Sequence, residues 1–288
     1  MNSNQNSNII EIEQNNVKSK AHLKNIRNKY IIMKIFDNLS KIRILSLIKY
    51  NKKFQKIAEI TTEDYKYFSE IEIELIPTEK AHKKFINIEE KKDKPYYHIY
   101  LHENKHSNKI IKINIIIDYQ VKSLSHLFYN IYDIESIKFI RFYRNNIYDM
   151  SSMFERCSLL KELDLSNFNT KDVTDMHSMF EKCTSLIKLD VSNFNIENVT
   201  DMNCMFKKCI KLEELNLFDF NSKNDINMNC MFSLCTSMQK LNISYFNINN
   251  ETTMWKMFFQ CPRCLQINIK SKFKEIKDEA FDNTDILI

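Results

Sequence analysis

Apolar residues recur with a period of 26 residues across residues 124–261. Within residues 176–183 they lie at positions i, i+3, i+4 and i+7, which form one face of an α-helix. Residues 186–191 end in alternating apolar and polar positions, as a short β-strand does. The pattern therefore predicts one helix and one short strand in each repeat.

The phrase Met-x-x-Met-Phe-x-x-Cys opens successive repeats without insertion or deletion. It begins at Met150, Met176, Met202, Met228 and Met254. A fixed period of this length is the signature of a solenoid, in which each unit buries its apolar face against its neighbours. We therefore predict an α/β fold: a leucine-rich-repeat-type solenoid, with one short strand and one helix per coil, preceded by an N-terminal helical module.

The same phrase carries a family resemblance. The stretch VTDMHSMFEKCTSLIKLDVSNFNIENVTDMNCMFKKC is similar to the BspA-like leucine-rich repeats, and the resemblance covers about half of the chain. It implies a leucine-rich-repeat fold and a binding role, without implying a reaction. The stretch FKEIKDEAFDN resembles a second repeat type of that family, so we expect residues 271–288 to cap the solenoid predicted at 118–270.

Two segments precede the strands. Residues 1–17 are rich in Asn, Ser and Gln and predict a disordered leader. Residues 18–70 predict a helical module, whose stretch YIIMKIFDNLSKIRILSLIKYNKKFQKI is similar to an F-box. That resemblance implies a substrate receptor of a cullin-type ubiquitin ligase; the alternative is that these helices only cap the solenoid. The residues that would contact the ligase adaptor are Ile35, Phe36, Leu39, Leu45 and Tyr50.

The helical module is also basic. Residues 18–57 contain twelve Lys and Arg residues and one acid, Asp37, in a chain of net charge +5. Nucleic acid, anionic lipid or an acidic protein could bind this charge. Because no aromatic stacking platform accompanies it, we interpret it as a solvated helix face and do not expect nucleic-acid binding.

Residues 71–117 predict strands, a linker and an N-terminal cap. Apolar residues alternate with Glu at 71–75, and residues 96–101 and 109–117 predict a hairpin around a polar turn. The second hairpin strand lies one period before the first repeat strand, so we predict that it forms an incomplete first coil. The hairpin separates His98, His102 and His106, which we interpret as surface residues rather than metal ligands.

Composition argues against most nucleotide-binding and hydrolase functions. Glycine is absent from the chain. Phosphate-binding loops, dinucleotide-binding fingerprints and nucleophile elbows need glycine where no side chain fits. Asp149, Asp175 and Asp201 recur at one repeat position, where we interpret them as helix caps. We therefore expect no catalytic residues and no cofactor.

The cysteines follow the repeat. We expect free buried thiols at the equivalent positions Cys157, Cys183, Cys209, Cys235 and Cys261. Cys261 and Cys264 have the spacing of a redox or zinc motif, but both continue repeat positions that predict core residues. We therefore expect no bound metal.

Function is expected on the solvent side of the repeat strands, because inward-facing Leu163 and Leu165 leave their neighbours outside. The outward positions are Glu162, Asp164, Ser166, Lys188, Asp190, Ser192, Glu214, Asn216, Phe218, Lys240, Asn242 and Ser244. We predict a non-enzymatic scaffold that binds a protein or peptide there, near the aromatic Phe218. Phe218 as an isolated surface aromatic is the alternative interpretation of that residue.

Two other functions remain open, an F-box-like ubiquitin-ligase receptor and a BspA-like surface or host-attachment protein. The polar residues 1–8 predict no secretory signal, and the apolar runs are too short to span a membrane. We therefore expect a cytoplasmic protein without membrane insertion.

Overall fold

The structure, a computed structural model, describes residues 56, 58, 70–78, 97–104, 109–117, 121–142, 146–217, 224, 226–243 and 251–281. The chain divides into two compact units, Met1–Phe68 and Ser69–Ile288. Every strand and helix named below belongs to the second unit. The predicted leader, and the predicted helical module apart from residues 56, 58 and 70, lie outside the described residues.

The described residues contain two β-sheets. Their strands are β1 (Ile71–Pro77), β2 (Tyr97–Asn104), β3 (Lys109–Ile117), β4 (Ile134–Arg141), β5 (Glu162–Asp164), β6 (Glu214–Asn216) and β7 (Lys240–Asn242). The five-stranded sheet has the order β2-β3-β1-β4-β5, and β6 pairs with β7 in the second sheet. The β4–β5 and β6–β7 pairs are parallel, whereas β1, β2 and β3 make antiparallel pairs.

The strands before the repeats differ in part from the prediction. The predicted hairpin is confirmed as β2 and β3. The prediction that β3 forms an incomplete first coil is wrong, because β1 lies between β3 and β4: Ile73 pairs with Ile115 of β3 and with Phe139 of β4. A period-two apolar pattern identifies a strand and its buried face, but it does not identify the neighbouring strand.

The predicted helix of each repeat is absent from the described residues. The one α-helix with defined bounds there, α1 (Arg263–Lys272), follows the last repeat phrase. The Met-x-x-Met-Phe-x-x-Cys segments are instead consecutive turns. The predicted α/β leucine-rich-repeat-type solenoid is therefore wrong. The described chain consists mostly of sheet and turns, with a mixed five-stranded sheet.

Left-handed backbone residues explain why the helical pattern misled. The second and sixth residues after each opening Met, and after Leu124 at the equivalent position, have positive φ, for example 52° at Ser178 and 62° at Lys182. Such residues interrupt a right-handed helix. Two consecutive four-residue turns still return side chains to the core at i, i+3, i+4 and i+7. The left-handed residues are His126, Asn130, Ser152, Arg156, Ser178, Lys182, Cys204, Lys208, Cys230, Leu234, Lys256 and Gln260.

Backbone amides in the turns alternate between two kinds of partner. The N–H groups of Ser178 and Phe180 donate to carbonyls of the next repeat, at N···O distances of 2.8 and 2.9 Å. The N–H groups of Met179 and Glu181 donate to the carbonyl three residues earlier in the same repeat, at 3.3 and 3.0 Å. Buried backbone groups are thereby satisfied, and successive repeats are joined in register.

Phenylalanine rings fill the interior at equivalent positions of successive repeats. Neighbouring rings stack with centroid distances between 5.4 and 5.7 Å. Because truncation of a buried Phe typically costs about 3–5 kcal/mol, this packing strongly favours the in-register arrangement. The stacked residues are Phe128, Phe154, Phe180, Phe206, Phe232 and Phe258.

The C-terminal segment covers the last repeat, where the sequence predicts a cap. Phe281 stacks on Phe258 with a centroid distance of 5.5 Å. The N–H of Lys256 donates to the carbonyl of Glu279 at 2.8 Å, and that of Phe258 donates to Ala280 at 2.7 Å. These contacts continue the ring stack and the backbone bonding by one further layer.

Glycine and alanine substitutions at Leu234 test the left-handed turns. Leu234 has a φ of 65°. We expect Leu234→Gly to be more stable than Leu234→Ala by about 1 kcal/mol, because only glycine adopts positive φ without steric cost. The free energy of unfolding, measured by urea denaturation, checks the difference.

The matched control is Ile267, an exposed residue inside α1. There we expect Ile267→Ala to be more stable than Ile267→Gly by about 1 kcal/mol, because glycine is unfavourable in a helix interior. The same order at both positions, with alanine favoured, would mean that the turns are helical after all.

Candidate functional site

The predicted binding residues that the structure describes lie where the repeat strands meet solvent. Lys188, Asp190, Glu214 and Asn216 are exposed, while the intervening Leu215 is buried. Parallel pairing places Glu214 beside Lys188 on one side and beside Lys240 on the other. We define the strand face as the outward residues Glu162, Asp164, Lys188, Asp190, Glu214, Asn216, Lys240 and Asn242.

Six members of the strand face line one groove with a volume of about 470 Å³. Leucines form the apolar part of its lining, and charged and amide side chains form the polar part. The full lining is Lys188, Leu189, Asp190, Glu214, Leu215, Asn216, Gln239, Lys240, Leu241, Asn242 and Asn268. The geometry thus brings residues from three successive repeats and from α1 into one site.

Gln239, which directly precedes Lys240 of β7, is one polar lining residue that the sequence analysis missed, and Asn268 is the other. Asn268 belongs to α1, which follows the last repeat phrase, and the predicted outward positions extended only as far as the strand of Lys240 and Asn242. A signal was nevertheless present, because Asn216, Asn242 and Asn268 follow one another at 26-residue intervals. Counting the register into α1 would have found it.

Ion pairs of modest strength cross the strand face. The Nζ atoms of Lys188 and Lys240 lie 4.0 and 3.7 Å from the carboxylate of Glu214. The lysine side chains are 76% and 80% exposed, so solvent screens both pairs. Asn242 also donates through Nδ2 to Oδ1 of Asn216 at 3.0 Å. These lysines can therefore reach toward a bound partner at little cost.

The earlier repeat strand contributes a separate charged pair. The hydroxyl and the N–H of Ser166 donate to Oδ1 of Asp164 at 2.6 and 3.0 Å, and both bonds lower the pKa of Asp164. Lys138 of β4 lies 3.7 Å from the same carboxylate. Asp164 therefore stays ionised at neutral pH and adds a fixed negative charge beside the groove.

Of the other predicted binding residues, Glu162 and Ser192 are described by the structure, whereas Phe218 and Ser244 are not. Glu162 is exposed at the start of β5, and the N–H of exposed Ser192 donates to Oδ1 of Asp190 at 2.9 Å. Phe218 and Ser244 lie outside the described residues. The footprint around Phe218 therefore stays a prediction.

The F-box-like residues also lie outside the described part of the chain, and their adaptor-binding role stays a prediction. They are Ile35, Phe36, Leu39, Leu45 and Tyr50. The basic segment at residues 18–57 overlaps these residues. Apart from the exposed Lys56, it also lies outside the described part of the chain.

The expected column of free buried cysteines is confirmed. Each thiol donates to the carbonyl of a Phe in the preceding repeat, as Cys209 does to Phe180 at 3.1 Å. Burial raises the pKa of Cys209 to about 12. These thiols act as small core residues with one hydrogen bond each, and burial keeps them protonated.

The Cys261–Cys264 motif separates into two environments. Cys261 is buried in the cysteine column, but Cys264 is exposed on α1, so its predicted core position is wrong. Cys264 is not buried because α1 stands where the sequence predicted a further repeat strand. Among the described residues, no cluster of three or more His, Cys, Asp or Glu side chains could hold a metal ion.

The repeated aspartates cap turns rather than helices. Oδ1 of Asp175 accepts the N–H of His177 at 2.9 Å, and Oδ1 of Asp201 accepts the N–H of Asn203 at 2.7 Å. An Asp side chain that accepts the N–H two residues later stabilises a tight turn. The predicted helix-capping role is therefore corrected, although the structural role remains.

The predicted surface histidines are exposed where they are described. His98 and His102 lie on β2, and His106 lies outside the described residues.

The fold and the strand face define a protein of 26-residue repeats joined in register by backbone hydrogen bonds. The repeats match the family described as Mycoplasma protein of unknown function, DUF285, at residues 122–240 and 187–280. These matches span more than half of the chain, and the chain belongs to this family. The match is loosely consistent with the BspA-like resemblance of the repeats. No curated protein and no solved structure matches the sequence.

Thiol labelling of the native protein tests the buried cysteine column. A maleimide at about pH 8 should modify exposed Cys264 rapidly, whereas the column should react only after denaturation, because the thiolate is the nucleophile. Peptide mass spectrometry before and after urea treatment gives the extent of labelling at each position. Native labelling of Cys183, Cys209 or Cys235 at the rate of Cys264 would contradict the described packing.

Proposed function

We propose that this protein is a non-enzymatic scaffold that binds a protein or peptide on the strand face. The observation that carries the proposal is the convergence of strand-face residues from three repeats on one groove. The groove combines an apolar floor with charged and amide side chains at its rim. This combination suits an extended polypeptide, which presents apolar, charged and hydrogen-bonding groups together.

The dimensions of the groove favour a short, extended segment as its ligand. Neighbouring strands lie about 4.8 Å apart, so three repeat strands span roughly 10 Å, the length of about three extended residues. Lys188, Glu214 and Lys240 could bind charged side chains of this segment. The amides of Asn216 and Asn242 could bond to polar groups of the ligand.

Rigid support is the second argument for a binding role. The strand face is held from behind by buried leucines and by backbone bonds between repeats, such as that from the N–H of Leu217 to the carbonyl of Asn242 at 2.9 Å. A preorganised surface loses little conformational entropy when a partner binds. The repeats therefore supply a fixed framework, and the outward side chains supply specificity.

The proposal includes a cytoplasmic location. Within the described residues no helix is long and apolar enough to cross a membrane. The described cysteines are free thiols, which is typical of proteins in a reducing compartment. A BspA-like attachment protein at the cell surface is the alternative, and it would expose the same strand face to a host partner.

A comparison of three baits tests the proposed function. The first is the full-length chain, and the second carries Lys188→Ala, Asn216→Ala and Lys240→Ala in the groove. The third carries Lys211→Ala, Gln260→Ala and Lys274→Ala, which are exposed residues outside the groove lining and serve as the matched control. Proteins captured from the source cells are quantified by mass spectrometry.

We expect at least one protein whose recovery falls about tenfold on the groove variant alone, as loss of central contacts typically causes. The purified protein should then show a matching loss of affinity. Equal recovery of all captured proteins by the three baits would overturn the strand face as the binding site.

A further inference from the structure

The charges of the strand face alternate along the stack. At the first outward position of four successive repeat strands stand Glu162, Lys188, Glu214 and Lys240, which we call the charge column. All four residues are exposed, and parallel pairing joins the last three side by side. An alternating row with an even number of charges has opposite signs at its two ends.

The neighbouring outward position changes from acid to amide halfway along the same strands. Asp164 and Asp190 are followed by Asn216 and Asn242, and we call these four residues the amide column. Carboxylates accept hydrogen bonds, whereas the amide NH2 group of Asn can donate them. The first half of this column therefore complements its second half.

Each column is complementary to the same column of a second copy in which the order of the repeats is reversed. A two-fold axis parallel to the strands, passing between the strands of Lys188 and Glu214, reverses the order of the repeats. It places Lys188 opposite Glu214 of a second copy, and Glu162 opposite Lys240 of that copy. The same axis places each aspartate of the amide column opposite an asparagine.

We propose that the strand face binds the strand face of a second copy of this chain, in a two-fold dimer about this axis. This inference rests on the proposed function and names a second copy of the chain as a protein partner of the same site, where it would compete with an extended peptide in the groove. Two-fold interfaces use the same patch on both subunits, so a patch must be complementary to itself to form one. The charge column and the amide column meet that requirement together.

The dimer should be weak and sensitive to salt. Each exposed ion pair contributes little, and the contact area of a few short strands lies at the low end for specific interfaces. Self-association is therefore expected at roughly 100 µM and above in low salt. Raising the ionic strength to about 0.5 M should weaken it, because salt screens charges at the protein surface.

Two charge-reversal variants test the pairing directly. The acidic variant carries Lys188→Glu and Lys240→Glu, so its charge column contains four acids. The basic variant carries Glu162→Lys and Glu214→Lys, so its charge column contains four lysines. Sedimentation velocity of the full-length chains, alone and mixed in equal amounts, gives the fraction of dimer up to about 500 µM, the upper range for a weak interface.

We expect the unaltered chain to dimerise. Each variant alone should have an association constant at least about tenfold lower, because like charges repel, and the mixture should form a heterodimer. A control with Lys211→Glu and Lys274→Glu lowers the net charge by the same amount as the acidic variant, away from the charge column, and should dimerise like the unaltered chain. Equal thermal unfolding of all variants shows that the folds are intact.

Three results would overturn the proposal. They are a monomeric unaltered chain at about 500 µM in low salt, undiminished self-association of the separate variants, and a mixture that stays monomeric. The groove variant of the capture experiment distinguishes this failure from failure of the proposed function. If it still loses a captured protein, the strand face remains a binding site for a different partner.

Discussion

Backbone hydrogen bonding between successive repeats is the interaction on which the rest of the structure depends. Alternate amides of each turn segment, such as those of Ser178 and Phe180, donate to the repeat that follows. Left-handed residues at two fixed positions turn these amides toward the neighbouring repeat. A single inserted residue would shift every later partner, which explains why the 26-residue period is kept without interruption across the repeat phrases.

The same register turns the sequence into columns of equivalent side chains. Inside, the register stacks the Phe rings and places each column thiol against a carbonyl of the preceding repeat. Outside, it aligns the outward residues of the repeat strands into the strand face. Because the backbone sets the spacing, substitutions on the strand face can change specificity without changing the fold. The proposed scaffold role and the proposed dimer both depend on a backbone that fixes the spacing and on outward side chains that determine which partner binds.

The sequence predicted features that depend on local alternation or lie inside the repeats, but extending the 26-residue period beyond the repeats failed at β3 and at Cys264. The hairpin of β2 and β3 and the buried thiols follow from alternation and from the repeat, and both are confirmed. The repeat helices were wrong because two four-residue turns give the same apolar spacing as a helix, and no glycine marks the left-handed positions, which are occupied by residues such as Leu234. The place of β1 beside β4 depends on long-range pairing, which local patterns do not encode.

Scalar coupling across hydrogen bonds measures the inter-repeat bonding directly. In a perdeuterated, 15N- and 13C-labelled sample, we expect a coupling between the amide nitrogen of Phe180 and the carbonyl carbon of Met205, since the N···O distance of this hydrogen bond is 2.9 Å. Ser178 should couple to Asn203 in the same way. A coupling from Phe180 to the carbonyl carbon of Met176, four residues earlier, would indicate an α-helix and contradict the account.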